Sequence, residues 1–342
     1  MPSCKLPNCT IAKDGRCLEG RGAECPNLIR ENASELPESA VPTEGSNFSV
    51  PNLQTYPATE ALYSGLPLEI AEAQELSRRG RAIVVVLAGM TESGKTSLLA
   101  RLHQQFQGGP VGGYDFAESR TLPRFEELNW LATLESGVGA PTMKHSSRLE
   151  DNSLLHFAVR RRDSCAPETI DLLLNDISGE TFPDAIAAES VCEQLVCLPR
   201  ADHLGLVVDG AALADRSRRH DHCAKAKNFV ERVLQTQQIG KSTVLHLVIT
   251  KLDELRRGDH AVENEQAATD LEAEFVSRFT PKVAKIHCWR VAARPRDGSM
   301  PTVTTIADLF AMWIGSTYRY LTCRVPDPDL RVVARDFCRF GI

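Results

Sequence analysis

Residues 82–106, AIVVVLAGMTESGKTSLLARLHQQF, decide the fold. The first seven form an unbroken apolar run of strand length, the pattern of a strand buried on both faces. Gly89-Met90-Thr91-Glu92-Ser93-Gly94-Lys95-Thr96 then spells a complete G-x-x-x-x-G-K-[ST], and TSLLARLHQQF opens a helix. Glycine at both ends lets the backbone turn tightly, so successive N–H groups point inward and cradle phosphate oxygens. The helix N-terminus adds partial positive charge at the same place. This pattern assigns Lys95 to the β- and γ-phosphates of a nucleotide and the Thr96 hydroxyl to Mg²⁺. Gly89, Thr91, Glu92, Ser93, Gly94 and Ser97 complete the phosphate-binding set.

From residue 81 onward apolar runs alternate with helical segments. Strands are predicted at 82–88, 154–160, 170–175, 203–209, 243–250 and 285–291, and helices at 95–107, 125–135, 223–238, 263–279 and 304–321. This alternation predicts an α/β fold, a mostly parallel sheet covered on both faces. The nucleotide domain is drawn at 80–322, followed by a tail at 323–342.

Two further segments follow predicted apolar strands downstream of the phosphate loop. In Asp176-Ile177-Ser178-Gly179-Glu180 the aspartate suits the Mg²⁺ side, and the Gly179 N–H suits the γ-phosphate. In Thr250-Lys251-Leu252-Asp253 the Asp253 carboxylate can accept both N1–H and the N2 amino group of guanine, a pair that adenine does not present, while the Lys251 stem packs on the ring. Thr250 stands where an asparagine is usual and loses an amide contact to the base edge. After the last strand, Ala292 or Ala293 can offer a backbone N–H to guanine O6. An ATP-using enzyme is disfavoured by the T-K-L-D segment.

Four of the eleven cysteines, Cys4, Cys9, Cys17 and Cys25, fall in the first 25 residues. Four soft ligands match a tetrahedral structural Zn²⁺ site, and a segment this poor in core residues needs a metal to fold. Two disulfides or free thiols are the alternatives. A zinc-binding module is drawn at 1–28, then a linker and lead-in helix at 29–79. Cys192 and Cys197 read as ordinary buried cysteines. No histidine shows ligand spacing. The basic clusters at 160–162, 216–220 and 290–296 read as solvated faces, with phosphate or partner contacts, or an arginine finger in trans, as the sharper options.

The 342 residues are 42% hydrophobic and 25% charged, which excludes collagen-like and wholly disordered chains. Lys+Arg 39 against Asp+Glu 45 gives −6 and argues against a nucleic-acid coat. No run approaches the roughly 18–20 apolar residues of a membrane span. MPSCK lacks the apolar region of a secretory signal, so a cytoplasmic protein is expected.

In order, the four nucleotide segments resemble the G1, G3, G4 and G5 motifs of translation-factor-related (TRAFAC) GTPases, over about residues 80–322. The resemblance implies a Ras-like doubly wound P-loop sheet binding GTP or GDP with Mg²⁺. More narrowly, the cysteine cluster ending in Cys25-Pro26-Asn27, SRTLPRFE at 119–126, NDISGE at 175–180 and VVDGAALAD at 207–215 look like the second type of bacterial double-GTPase. That family implies a role in conflict or defence systems, with a co-encoded effector or second GTPase as partner. Where Ras-like enzymes carry a water-orienting glutamine, this chain has Glu180, which implies slow hydrolysis or activation by a partner. A non-hydrolysing module whose nucleotide is structural or sensed is the alternative. Thr121 and Thr142 are both candidates for the Mg²⁺-ligating threonine of the first switch.

Overall fold

The computed structural model describes residues 3–4, 28–29, 63–134, 151–163, 169–293 and 306–315. The chain separates into two compact units, residues 1–60 and 61–342. In the first, β1 (Ser3–Cys4) pairs antiparallel with β2 (Leu28–Ile29), Cys4 opposite Leu28. Cys9, Cys17 and Cys25 of the predicted zinc module lie outside the described residues, as do 30–62 of the linker and the tail at 323–342.

Among the described residues the second unit has seven strands: β3 (Arg81–Ala88), β4 (Tyr114–Glu118), β5 (Leu155–Arg161), β6 (Thr169–Asp176), β7 (His203–Asp209), β8 (Val244–Thr250) and β9 (Lys285–Arg290). Their order across the sheet is β4-β5-β6-β3-β7-β8-β9. From β6 to β9 every pairing is parallel, and β4 and β5 are antiparallel additions at one edge. Five parallel strands therefore deliver their C-terminal ends to one rim, with β3 between β6 and β7, the place where such sheets bind ligands.

Period-two alternation along β3 explains the double winding. Ile83, Val85 and Leu87 enter one core with Leu98, Leu102 and Phe106 of helix Lys95–Gly108, Phe125, and Phe310 and Trp313 of helix Ile306–Gly315. Val84, Val86 and Ala88 enter the other with Phe229 of helix Arg216–Gln235 and Phe275 of helix Ala261–Phe279. Each fully buried aliphatic side chain contributes about 1.5–3 kcal/mol.

Short helices such as Thr181–Ala187, Gly210–Ala214 and Leu252–Leu255 were not expected, and two larger elements also depart from expectation. Strand β4 was not expected: Tyr114-Asp115-Phe116-Ala117-Glu118 has no apolar run, because as an edge strand it is only half covered, and a register shift interrupts it between Phe116 and Glu118. Helix Arg216–Gln235 begins before the predicted 223, since the Asp215 carboxylate accepts the Ser217 N–H at 2.9 Å and starts a polar first turn.

Three histidines join neighbouring strands. Trp289 Nε1–H can only donate, so His246 Nδ1 accepts it at 2.9 Å. His246 Nε2–H then donates to His203 Nδ1 at 2.9 Å, and His203 Nε2–H donates to the Trp313 carbonyl at 2.9 Å. His287 stacks on His246 with ring centroids 5.5 Å apart. The chain of bonds is complete only when both inner rings are neutral. Burial pushes His203 from its ordinary 6.5 down to about 4, and holds His246 well below the usual range, with the neighbouring histidines adding to the drop. The unfolded chain thus takes up protons that the folded chain refuses. The stability this gives is present above pH 6.5 and lost as pH falls toward 4, by roughly 3 kcal/mol for His203. Melting temperatures of the intact protein should fall over that window, and His203→Gln should flatten the fall. An unchanged slope in the variant would contradict this account.

Candidate functional site

The end of β3 feeds the loop that enters helix Lys95–Gly108. Gly94 caps that helix at φ +93, a conformation that favours glycine, and Glu92 adopts φ +63 as well. Left-handed backbone at a non-glycine residue is a strain that surrounding structure must hold, and it clusters at ligand sites. Thr91 and Glu92 are exposed, Met90 and Ser97 half-buried, and Ser93 is buried.

Lys95 is 5% exposed and donates to the carbonyls of Gly89 (3.0 Å) and Met90 (3.3 Å). Desolvation pushes its pKa down, and the carboxylates of Asp176 and Asp151 push back. Asp176 closes β6 opposite Leu87, and its Oδ2 accepts the Thr96 hydroxyl at 2.7 Å. Two hard oxygens from different elements thus converge beside a buried ammonium. That donor set fits Mg²⁺, and the phosphate loop fits the anion that would accompany it.

The turn after β6 is pinned from several sides. Ile177 N–H donates to the Leu87 carbonyl at 3.0 Å. The buried Asp151 carboxylate accepts the Ser178 N–H at 2.6 Å and the Thr181 hydroxyl at 2.5 Å. Between those anchors Gly179 lies directly on Thr91 of the loop, and Glu180 is exposed at the start of helix Thr181–Ala187.

On the opposite flank Thr250 is 2% exposed, and its hydroxyl donates to Ser93 O at 2.6 Å, with Val208 O at 3.2 Å. The side chain in the asparagine position therefore braces the phosphate loop against the sheet. Lys251 takes φ +47 and pairs with Asp209 at 3.0 Å. Asp253 stands in the first turn of helix Leu252–Leu255. The Leu252 N–H donates to Val291 O at 3.2 Å, which draws the half-buried Ala292 and Ala293 beside the T-K-L-D turn.

Thr121 is not brought to this rim as a free ligand. It is fully buried, and its hydroxyl accepts the His156 N–H at 2.9 Å and lies 3.3 Å from the His156 carbonyl. Thr142 lies outside the described residues. Two residues beyond those expected take part. Asp209 was legible in V-V-D-G as a strand-end carboxylate, whereas no local pattern marks Asp151. The arginine clusters are partly spent within the molecule: Arg216 and Arg219 pair with Glu263, and Arg290 with Glu265 and Glu272. Cys192 and Cys197 are buried as expected, and burial pushes the Cys197 thiol up to about 12. Among the described residues no group of three or more His, Cys, Asp or Glu is placed to hold a metal, and no helix is long and apolar enough to cross a membrane.

The family described as Double-GTPase 2 matches residues 83–314. No curated protein matches the chain. Among solved structures, the chain is similar to the signal recognition particle receptor SRb-GTP/SRX complex from Chaetomium thermophilum, at 17% identity and TM-score 0.38, covering 68% of this chain and 97% of that one. It is also similar to the S. cerevisiae Ski7 GTPase-like domain, bound to GDP and inorganic phosphate, at 12% identity and TM-score 0.42, covering 72% of this chain and 52% of that one.

Proposed function

This chain belongs to the Double-GTPase 2 family, and from that membership we propose that it is a switch that hydrolyses GTP slowly and regulates a protein partner. The partner would be a co-encoded effector or a second GTPase in a bacterial conflict or defence system, and the setting cytoplasmic. The observation that carries the reading is the Thr96–Asp176 contact of 2.7 Å beside the buried Lys95.

Phosphoryl transfer needs positioning and charge neutralisation more than covalent help. The loop amides and Lys95 would hold the β- and γ-phosphates, with Thr96 and Asp176 as the Mg²⁺ side. Bound there, Mg²⁺ would neutralise charge developing on the phosphate oxygens. Asp253 would read guanine N1–H and N2, with Lys251 over the ring and Ala292 or Ala293 at O6. Gly179 would sense the γ-phosphate. Glu180 is the reason for slowness, since an ionised carboxylate accepts hydrogen bonds and repels phosphate charge where glutamine would orient water. The same residue favours the second reading, a module that binds GTP or GDP without hydrolysing it.

Nucleotide released from the purified protein should be GDP or GTP. Single-turnover hydrolysis of GTP should run on the order of 10⁻³ s⁻¹ or slower, with little hydrolysis of ATP. Turnover above about 1 s⁻¹ by the isolated chain would refute the switch reading, and equal rates with ATP would refute the guanine assignment. We also propose that Cys4, Cys9, Cys17 and Cys25 hold one Zn²⁺, so elemental analysis of the same preparation should find one zinc per chain.

A further inference from the structure

Within the turn that carries Gly179 and Glu180, the Glu180 N–H donates to Ser178 Oγ at 3.3 Å, and the shorter side-chain bonds come from outside it. Ser178 and Thr181 bracket those two positions, and both are bound by one carboxylate from outside the turn. Asp151 Oδ1 accepts the Ser178 backbone N–H at 2.6 Å, and Oδ2 accepts the Thr181 hydroxyl at 2.5 Å. Asp151 itself is 7% exposed. Asn175, at the foot of the turn, donates its side-chain amide to the Asp151 carbonyl and the Ser153 carbonyl, each at 2.8 Å, and so fixes the backbone that presents the carboxylate. Further along, Phe182 stacks on Phe229 with centroids 4.5 Å apart, which anchors the helix the turn runs into.

We propose that Asp151 is a positioning residue for GTP hydrolysis: its carboxylate staples Ser178 to Thr181 and thereby sets the Gly179 N–H against the γ-phosphate position. The inference rests on the GTPase reading above. Hydrogen bonds to a charged acceptor are stronger than neutral ones, and buried donors left without an acceptor are costly. A carboxylate is therefore well suited to hold a tight turn whose own side-chain contact, Ser178 Oγ to the Glu180 N–H at 3.3 Å, is longer. Its charge is also felt at Lys95, where it favours the ammonium form. The staple joins the segment entering β5 to the turn leaving β6, so movement of either is passed to the other.

The test compares the full chain with Asp151→Asn, Asp151→Ala and Thr181→Val. Asp151→Asn keeps the shape and one acceptor but loses the charge, and Thr181→Val severs one arm alone. Single-turnover GTP hydrolysis should fall about 10-fold in Asp151→Asn and Thr181→Val, and about 100-fold in Asp151→Ala. Affinity for GDP should stay within about threefold, while affinity for GDP with aluminium fluoride, which mimics the transferring phosphate, should fall in parallel with the rate. A merely structural role would lower both affinities together, and that result overturns the proposal. So does an Asp151→Asn protein that is folded and hydrolyses GTP at the parental rate. A parent chain that binds no guanine nucleotide would overturn the functional reading and this inference with it, whereas a hydrolysing parent with indifferent variants overturns the inference alone.

Discussion

Replacing Lys95 with methionine should abolish GTP hydrolysis, with a loss of at least about 10³-fold, while leaving the protein folded. The two halves of this expectation have separate physical grounds. Lys95 is 5% exposed, and its ammonium donates to the carbonyls of Gly89 and Met90. Burial presses its pKa downward by more than the carboxylates of Asp176 and Asp151 raise it, so the charge is held at a cost. Methionine keeps the apolar stem and removes that desolvation cost, so the protein should stay folded with a melting temperature close to the parent's. With GTP in the loop the balance reverses. Phosphate oxygens would supply what the carbonyls cannot, and the missing ammonium would leave transition-state charge unneutralised. Lys95→Arg should fail as well, because a planar fork does not fit a nearly closed site shaped for a point charge. Retained GTP turnover in a folded Lys95→Met protein would contradict the phosphate assignment.

That lysine was legible because everything that gives it meaning is contiguous: strand, glycines, ammonium and helix lie within 82–106. The period-two cores of β3 and the strand ends at Asp176, Asp209 and Thr250 were legible for the same reason, since each pattern is local. What stayed hidden depends on contacts between distant residues. Asp151 finds its partners 27 and 30 positions along the chain. The histidine chain closes over intervals of 43 and 110 residues, so no spacing rule could register it. Strand β4 was hidden for a different reason, because an edge strand half covered by its neighbours needs no apolar run. Thr250 lies between these cases. Its departure from asparagine was visible, but only the fold shows its hydroxyl bracing the Ser93 carbonyl.

Gly179→Ala should cost about 100-fold in GTP hydrolysis with GDP affinity largely retained. A Cβ at this position would lie 2.3 Å from the Thr91 backbone nitrogen, 2.4 Å from its Cα and 2.7 Å from its Oγ1. The first two are backbone atoms, and neither side can yield easily. The turn is held by Ile177 on Leu87 and by Ser178 and Thr181 on Asp151. The loop is braced by Thr250 at the Ser93 carbonyl. Relief therefore has to come from displacing the turn, and a displacement near 1 Å is enough to spoil an aligned attack. Overpacking of this kind should also lower stability by about 1–3 kcal/mol, readable as a reduced melting temperature. Thr91→Gly in the same chain provides the discriminating control. It deletes the Oγ1 contact but leaves the nitrogen and Cα where they are, so it should not restore hydrolysis to Gly179→Ala. Full rescue would place the conflict in the threonine side chain and contradict a backbone-to-backbone contact between the turn and the phosphate loop.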